Sequence, residues 1–333
     1  MAANGELRAV PSDIHDDTDL LMNDYERYYS KENDLPFFDH PLMRAYRSHP
    51  DNFKPLTTHR EVLSQFTHGI IDEEDIQIVK MIGDSIAVTE RQLRQIMTKA
   101  GYSFSKVSKK LNRLRQKGFV QRWKCRLEND EAEEIKPPAP FTLGIAGYIL
   151  LCEIYPEHRF MRPDSWRHAA PMIQRYVSMN QLRTSFALNN VLRDWRWNVG
   201  MDFNRQLPSI SGVAKIELGK KHFHFLIERA QVSQNFIGFL RSKLHKMTIV
   251  YREYQTFPLN KVNVEMPILL LSCSTLKVAE HLHNELLLDQ YPFTIFLSVD
   301  EEQDDVHIDN SFYEPSNETL KPISLAFSSS SNT

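Results

Sequence analysis

The apolar positions of this chain change their period along its length. Between Asp72 and Gly118 they fall at helical spacing. Ile76, Val79 and Ile82 share one face over 72–82, which predicts a first helix. Thr89-Glu90-Arg91-Gln92 is a capping box, in which hydroxyl and amide exchange hydrogen bonds with the backbone of a starting helix. It opens a second helix with a stripe of Leu93, Ile96, Met97 and Ala100, and Gly101 ends it. Ser105 is expected to cap a third helix, with Val107, Leu111 and Leu114 inward and Gly118 as its stop. From Phe119 to Leu127 the period drops to two. Phe119, Gln121, Trp123, Cys125 and Leu127 share one face, and Val120, Arg122, Lys124 and Arg126 share the other. Short helices joined by a tight turn and followed by a strand predict a winged helix-turn-helix.

A second unit follows. Helical patterning runs through Ala169–Asp194. Strands are predicted over 213–218 and 222–228, around a Gly219-Lys220-Lys221 turn. A long helix over 231–253 turns Phe236, Phe239, Leu240, Leu244 and Met247 inward. A buried strand (265–272), a helix (274–288) and a last strand (292–299) complete an order that suits a mixed sheet covered by helices. The fold class is therefore α+β: a winged helix-turn-helix over 72–140, then an α/β domain over 141–299. Residues 1–71 are acidic and interrupted by Pro36, Pro41, Pro50 and Pro55, which predicts a mostly irregular arm. Residues 300–333 are acidic and then Ser-rich, which predicts a disordered tail.

Charge sharpens the picture. The 333 residues carry 40 Lys and Arg against 43 Asp and Glu, yet Arg91–Arg126 holds twelve cations and no acid. On the third helix Ser105, Lys106, Lys109, Asn112, Arg113 and Gln116 lie opposite the apolar stripe, flanked by Lys110 and Lys117. Arg122, Lys124 and Arg126 extend the charge along the strand. Cations reach phosphates, and Asn and Gln pair with adenine edges. These eleven residues are the candidate contacts to double-stranded DNA. A homodimer is expected, because one short recognition helix reads few bases and paired half-sites add affinity. No apolar run approaches the ~20 residues of a membrane helix. The first twenty residues hold no secretory apolar core. Cys125, Cys152 and Cys273 form neither a disulfide framework nor a zinc spacing, so the expected setting is cytoplasmic.

After KGFVQRWKCR comes Phe141-Thr142-Leu143-Gly144-Ile145-Ala146-Gly147. This order resembles the replication–relaxation family of bacterial plasmids and integrative elements, with Phe141 where the family pattern has Tyr. The resemblance spans roughly 72–299. It implies DNA handling in plasmid replication, mobilisation or transcriptional control, with a replication or conjugation protein as partner. It also implies a C-terminal domain similar to the PD-(D/E)xK, restriction-endonuclease-like fold. That chemistry needs two or three carboxylates on a divalent metal and usually a lysine. Here Pro208-Ser209 stands at the first acid's position, and the second motif reads Glu228-Arg229-Ala230. Glu217 or Asp202 replaces the missing acid only in a different register. The domain is thus expected to be inactive, with no catalytic residue, metal ligand or cofactor.

Two alternatives stay open: a metal-dependent nuclease or nicking enzyme, and an interaction module. In the latter the basic face binds an acidic partner or the acidic tail itself (Asp300–Glu302, Asp304 and Asp305). His222 with His224, and Tyr251 with Tyr254, are read as packing or surface groups rather than metal ligands or nucleophiles.

Overall fold

The computed structural model describes residues 25–129, 136–166, 169–201, 209–232, 234–303, 308–317 and 319–325. Its architecture is mixed α+β, with two sheets and helices packed on both.

The first sheet has the order β1-β3-β4-β2, all antiparallel: β1 (Met43–Ser48), β2 (Val88–Thr89), β3 (Val120–Leu127) and β4 (Pro140–Leu143). Around it lie helices α1 (His59–Thr67), α2 (Glu73–Ser85), α3 (Glu90–Lys99), α4 (Phe104–Gln116) and α5 (Ile145–Ile154). The Thr89–Gln92 box starts α3 as its sequence predicts, and matching boxes at Thr58 and Asp72 start α1 and α2. Ser103, rather than Ser105, is the N-cap of α4, and its side chain makes no capping bond. Leu93, Val107, Leu111, Leu114 and Phe119 fill a shared core with Ile78, Val79 and Ile82.

Two expectations about organisation change here. Of the supposedly irregular arm, residues 1–24 lie outside the described residues, while 43–48 pair with β3 and 59–67 form a helix. Met43 and Ala45 pack inward from β1 beside Trp123, Cys125 and Leu127, so burial of alternate side chains recruits this segment into the sheet. The boundary expected after 140 falls inside one core, because Ala146, Leu150 and Leu151 of α5 pack with α2 and β3.

The second sheet has seven strands in the order β11-β10-β9-β8-β7-β6-β5. They are β5 (Leu192–Val199), β6 (Ile210–Leu218), β7 (Lys221–Arg229), β8 (Pro267–Cys273), β9 (Ile295–Val299), β10 (Phe312–Ser316) and β11 (Thr319–Ile323). β7, β8 and β9 run parallel and the remaining pairs antiparallel. Helix α6 (Ala169–Leu188) covers one face, and α7 (Phe236–Tyr254) and α8 (Leu276–Leu286) cover the other. The alternation is direct: Leu269 and Leu271 meet the α7–α8 core, whereas Leu270 meets Phe186 and Phe225 on the α6 side. A strand buried on both faces reads as a continuous apolar run, which is what Ile268–Leu271 shows.

Helical patterning expected as far as Asp194 stops at Leu188. After Asn190, at φ +60°, the chain enters β5. The tail expected to be disordered folds back instead: Phe312 is fully buried against Phe186, and β10–β11 extend the sheet beyond β9. Residues 304–307, 318 and 326–333 lie outside the described residues.

The arm locks onto the ends of the parallel strands. The Thr275 hydroxyl donates to the carbonyl of Tyr28, whose ring packs edge-on against Phe236. Asp39 is buried beside Arg229 and accepts from the Val232 N–H. Burial pushes its carboxyl up to about 6, because the opposing charge of Arg229 is 3.8 Å away and closer to Asp300, at 2.6 Å. The folded chain therefore holds a proton that the unfolded chain has already lost. Stability from this group is complete below about pH 3.8 and is lost as pH rises through about 6. Asp39→Asn keeps the acceptor for Val232 and cannot ionise. It is expected to match wild type in urea denaturation at pH 4 and to exceed it by roughly 1–3 kcal/mol at pH 8. An equal difference at both pH values would refute the buried-proton account.

Candidate nucleic-acid interface

Helix α4 presents the polar face its sequence predicts. Ser105, Lys106, Lys109, Asn112, Arg113 and Gln116 are all exposed, and Val107, Leu111 and Leu114 are buried beneath them. Lys117 is half-buried at the C-terminal end, where Leu56 N–H donates to its carbonyl. On β3, Lys124 and Arg126 are exposed and Arg122 is half-buried.

The cations differ in how committed they are. The acidic N-terminal turn of α2 lies against α4, where Asp72, Glu74 and Asp75 favour the positive end of their own helix. Lys106 pairs with Glu74, and Arg113 with Asp75. Lys110, expected to face DNA, is buried: its Nζ lies 2.7 Å from Asp72 and 3.2 Å from Asp75. Burial works against its ammonium, but these hydrogen bonds prevail and hold its pKa above the ordinary lysine value. Removing it from the interface has a steric cause, since the i+3 position after Val107 turns toward α2. Lys106 remains about half exposed and its pair with the part-exposed Glu74 contributes little, so it can exchange for phosphate, whereas Arg113 is equally exposed but is held more firmly by the buried Asp75. Lys109 and Lys117 form no ion pair among the described residues.

β1 adds residues that the sequence reading missed. In its antiparallel register Arg44 faces Arg126, Tyr46 faces Lys124 and Ser48 faces Arg122. The outer surface of this ribbon is therefore basic across two strands. Arg44 is paired with Glu128, and the exposed Tyr46 ring lies 5.2 Å from the Arg126 guanidinium, which offsets the like-charge neighbours. The signal was present as alternation in Met43-Arg44-Ala45-Tyr46, between Pro41 and Pro50.

The acidic tail does not cover this face with its described acids. Asp300 pairs with Arg229, Glu301 accepts from the backbone N–H groups of Lys31 and Leu276, and Glu302 pairs with Lys31. Asp304 and Asp305 lie outside the described residues.

The nuclease-like position has a different content. Glu228, at the end of β7, and Lys243, on α7, are both buried and 2.5 Å apart. Ser211 donates to Glu228 from its backbone N–H at 3.0 Å and its hydroxyl at 2.8 Å. Lys243 also donates to the Ser209 carbonyl at 2.6 Å. Burial draws the Lys243 pKa down and the Glu228 charge opposes it. One carboxylate with both oxygens engaged and an ammonium against it does not suit a divalent cation, which needs several oxygen ligands. Glu217 is at the opposite end of β6, paired with Arg193, and Asp202 lies outside the described residues. His224 is engaged with Glu265, and among the described residues no three His, Cys, Asp or Glu converge as a metal-binding group. Tyr251 packs on Phe257 and Phe293.

Helix α6 fixes the interface from behind. Asn180 donates to the carbonyls of Ser85 and Ala87 at 2.7 Å, and Gln92 donates to Val177 at 2.9 Å. Lys99 donates to the carbonyl of Leu188 at 3.0 Å, where cations suit a helix C-terminus. No helix among the described residues is long and apolar enough to cross a membrane.

No protein-family model matches this chain, and no curated protein matches it. The resemblance drawn from the Phe141–Gly147 junction thus stands without a family match. Among solved structures the chain is similar to the restriction endonuclease FokI, at 10% identity and a TM-score of 0.24 over 67% of this chain. The chain spans 40% of the length of that structure, and a likeness so slight carries no argument about fold or activity.

Proposed function

We propose that this chain is a sequence-specific double-stranded DNA-binding protein of a bacterial mobile element, with residues 72–140 acting as a winged helix. The observation that carries the reading is the exposed face of α4. It joins two uncommitted lysines, Lys109 and Lys117, to Asn112 and Gln116, beside a two-stranded basic ribbon. In this reading Lys106, Lys109, Arg113 and Lys117 bind phosphates, with Arg122, Lys124 and Arg126 on the neighbouring backbone. Ser105, Asn112 and Gln116 address base edges. The seven-stranded domain serves as a homodimer or partner-binding body related to the restriction-endonuclease-like fold, acting in plasmid replication, mobilisation or transcriptional control. The Glu228–Lys243 pair supports a structural rather than a hydrolytic role for it.

The test is fluorescence anisotropy with random and mobile-element duplexes across a salt series. Lys109→Ala/Lys117→Ala is expected to weaken binding about tenfold and to reduce the slope of log K against log salt by ~1.8. Absence of salt-dependent duplex binding near ~50 mM salt overturns the reading.

A further inference from the structure

A cleft of about 1020 Å³ opens between the end of α2, segment 157–161 and β5. Small-molecule pockets run to roughly 1,000 Å³, so this one has room for a segment of polymer. β5 is one of the two edge strands of the seven-stranded sheet, and each residue from Leu192 to Gly200 lines the cleft.

Its charge is one-sided. Lys80, Arg159, Arg183, Arg193, Arg196 and Lys261 face only Asp84, Glu157 and Asp194. Lys80, Arg193 and Arg196 each have a carboxylate partner. Arg159, Arg183 and Lys261 form no ion pair among the described residues. Arg183 is the telling one. Burial draws its pKa down, and its Nη1 is held by neutral acceptors: the Asp84 carbonyl, the Ser85 hydroxyl and the Asn180 amide oxygen. The charges of Asp84 and Asp194 oppose that shift from beyond ion-pair distance, and a half-buried guanidinium with no carboxylate in direct contact is suited to a phosphate, which matches its planar fork. Trp195 and Trp197, with ring centroids 5.0 Å apart, stand half-buried in the same wall.

We propose that this cleft binds single-stranded nucleic acid. Arg159, Arg183 and Lys261 take phosphates, and the two indoles pack against bases. A cationic groove with aromatic side chains is the arrangement that holds unpaired strands, since only unpaired bases offer their faces to a side chain. The rival occupant is an acidic peptide added to the β5 edge. Three features oppose it. Arg193, Asp194 and Arg196 place charge along that edge, a bulge interrupts the register between Leu192 and Asp194, and the backbone N–H of Trp195 is already bonded to the Asp194 carboxylate.

The experiment uses the full chain and a fluorescein-labelled single strand of about 20 nucleotides, longer than the ~4–16 a single groove covers. Arg159→Ala/Lys261→Ala removes two exposed cations. It is expected to lower strand affinity about tenfold and to reduce the salt slope by ~1.4, with duplex binding unchanged. Lys109→Ala/Lys117→Ala is expected to show the reverse pattern, so failure of the strand site and failure of the duplex reading give different results. Two outcomes overturn the proposal: no strand binding, or strand binding that Arg159→Ala/Lys261→Ala leaves intact. A poly-glutamate peptide that binds through Arg159 and Lys261 where the strand does not would assign the cleft to an acidic protein.

Discussion

Gly147→Ala is expected to unfold the first unit or lower its stability by about 3 kcal/mol or more, in the upper range for overpacking. A Cβ at this position would lie 2.1 Å from the carbonyl oxygen of Phe119 and 3.1 Å from Val79. The oxygen belongs to the backbone between α4 and β3, so no side chain can swing aside. The same turn holds the start of α5: Gly144 N–H donates to Phe119 at 3.0 Å, and Ala146 N–H to Gly118 at 3.1 Å. Two N–H groups left unpaired by the helix are satisfied there, and only glycines let the backbones meet. Gly118, at φ +75°, makes the turn itself. Thermal unfolding by circular dichroism reads the effect, with Gly200→Ala as control because nothing lies within 4 Å of its added Cβ. Equal melting of the two variants would show that the contact relaxes without cost.

Lys243→Met is expected to lower stability by about 3–5 kcal/mol, because it leaves the buried Glu228 carboxylate without its ammonium. Adding Glu228→Gln should restore much of the loss. Gln keeps an oxygen for the Ser211 N–H, and no unpaired charge remains. Urea denaturation of both single variants and the double variant gives the coupling energy, expected above about 2 kcal/mol. Additive losses would mean that the two groups do not act as a pair. A pair this coupled holds Glu228 in a structural role.

Much of the first unit is legible in the sequence because its helices carry both their stripes and their stops. Thr89–Gln92, Gly101 and Gly118 mark ends that local geometry enforces. What is hidden is non-local. β1 forms only because Met43 and Ala45 find Trp123 and Cys125 some eighty residues away, and its prolines made the surroundings look irregular. The β10–β11 hairpin sits behind an acidic stretch, and its Pro322 is tolerated because β11 is an edge strand. On α4 the outward positions follow from periodicity, but the burial of Lys110 does not. It depends on the acidic turn of α2, which a wheel drawn for one helix omits.

The buried amides of Asn180 and Gln92 and the exposed Lys99 ammonium, which clamp α6, have a mechanical consequence. Asn180, Gln92 and Lys99 tie that helix to the turn before α3 and to both ends of α3, while its other side carries the seven-stranded sheet. Among the described residues the basic helix and the sheet are thus joined through one helix packed against both, like the arms of a caliper on a shared bar. Two copies joined through their sheets would hold their α4 helices at a set separation and angle. The distance between whatever the two helices grip would then be dictated by the fold itself, and little freedom would remain to be frozen when both engage.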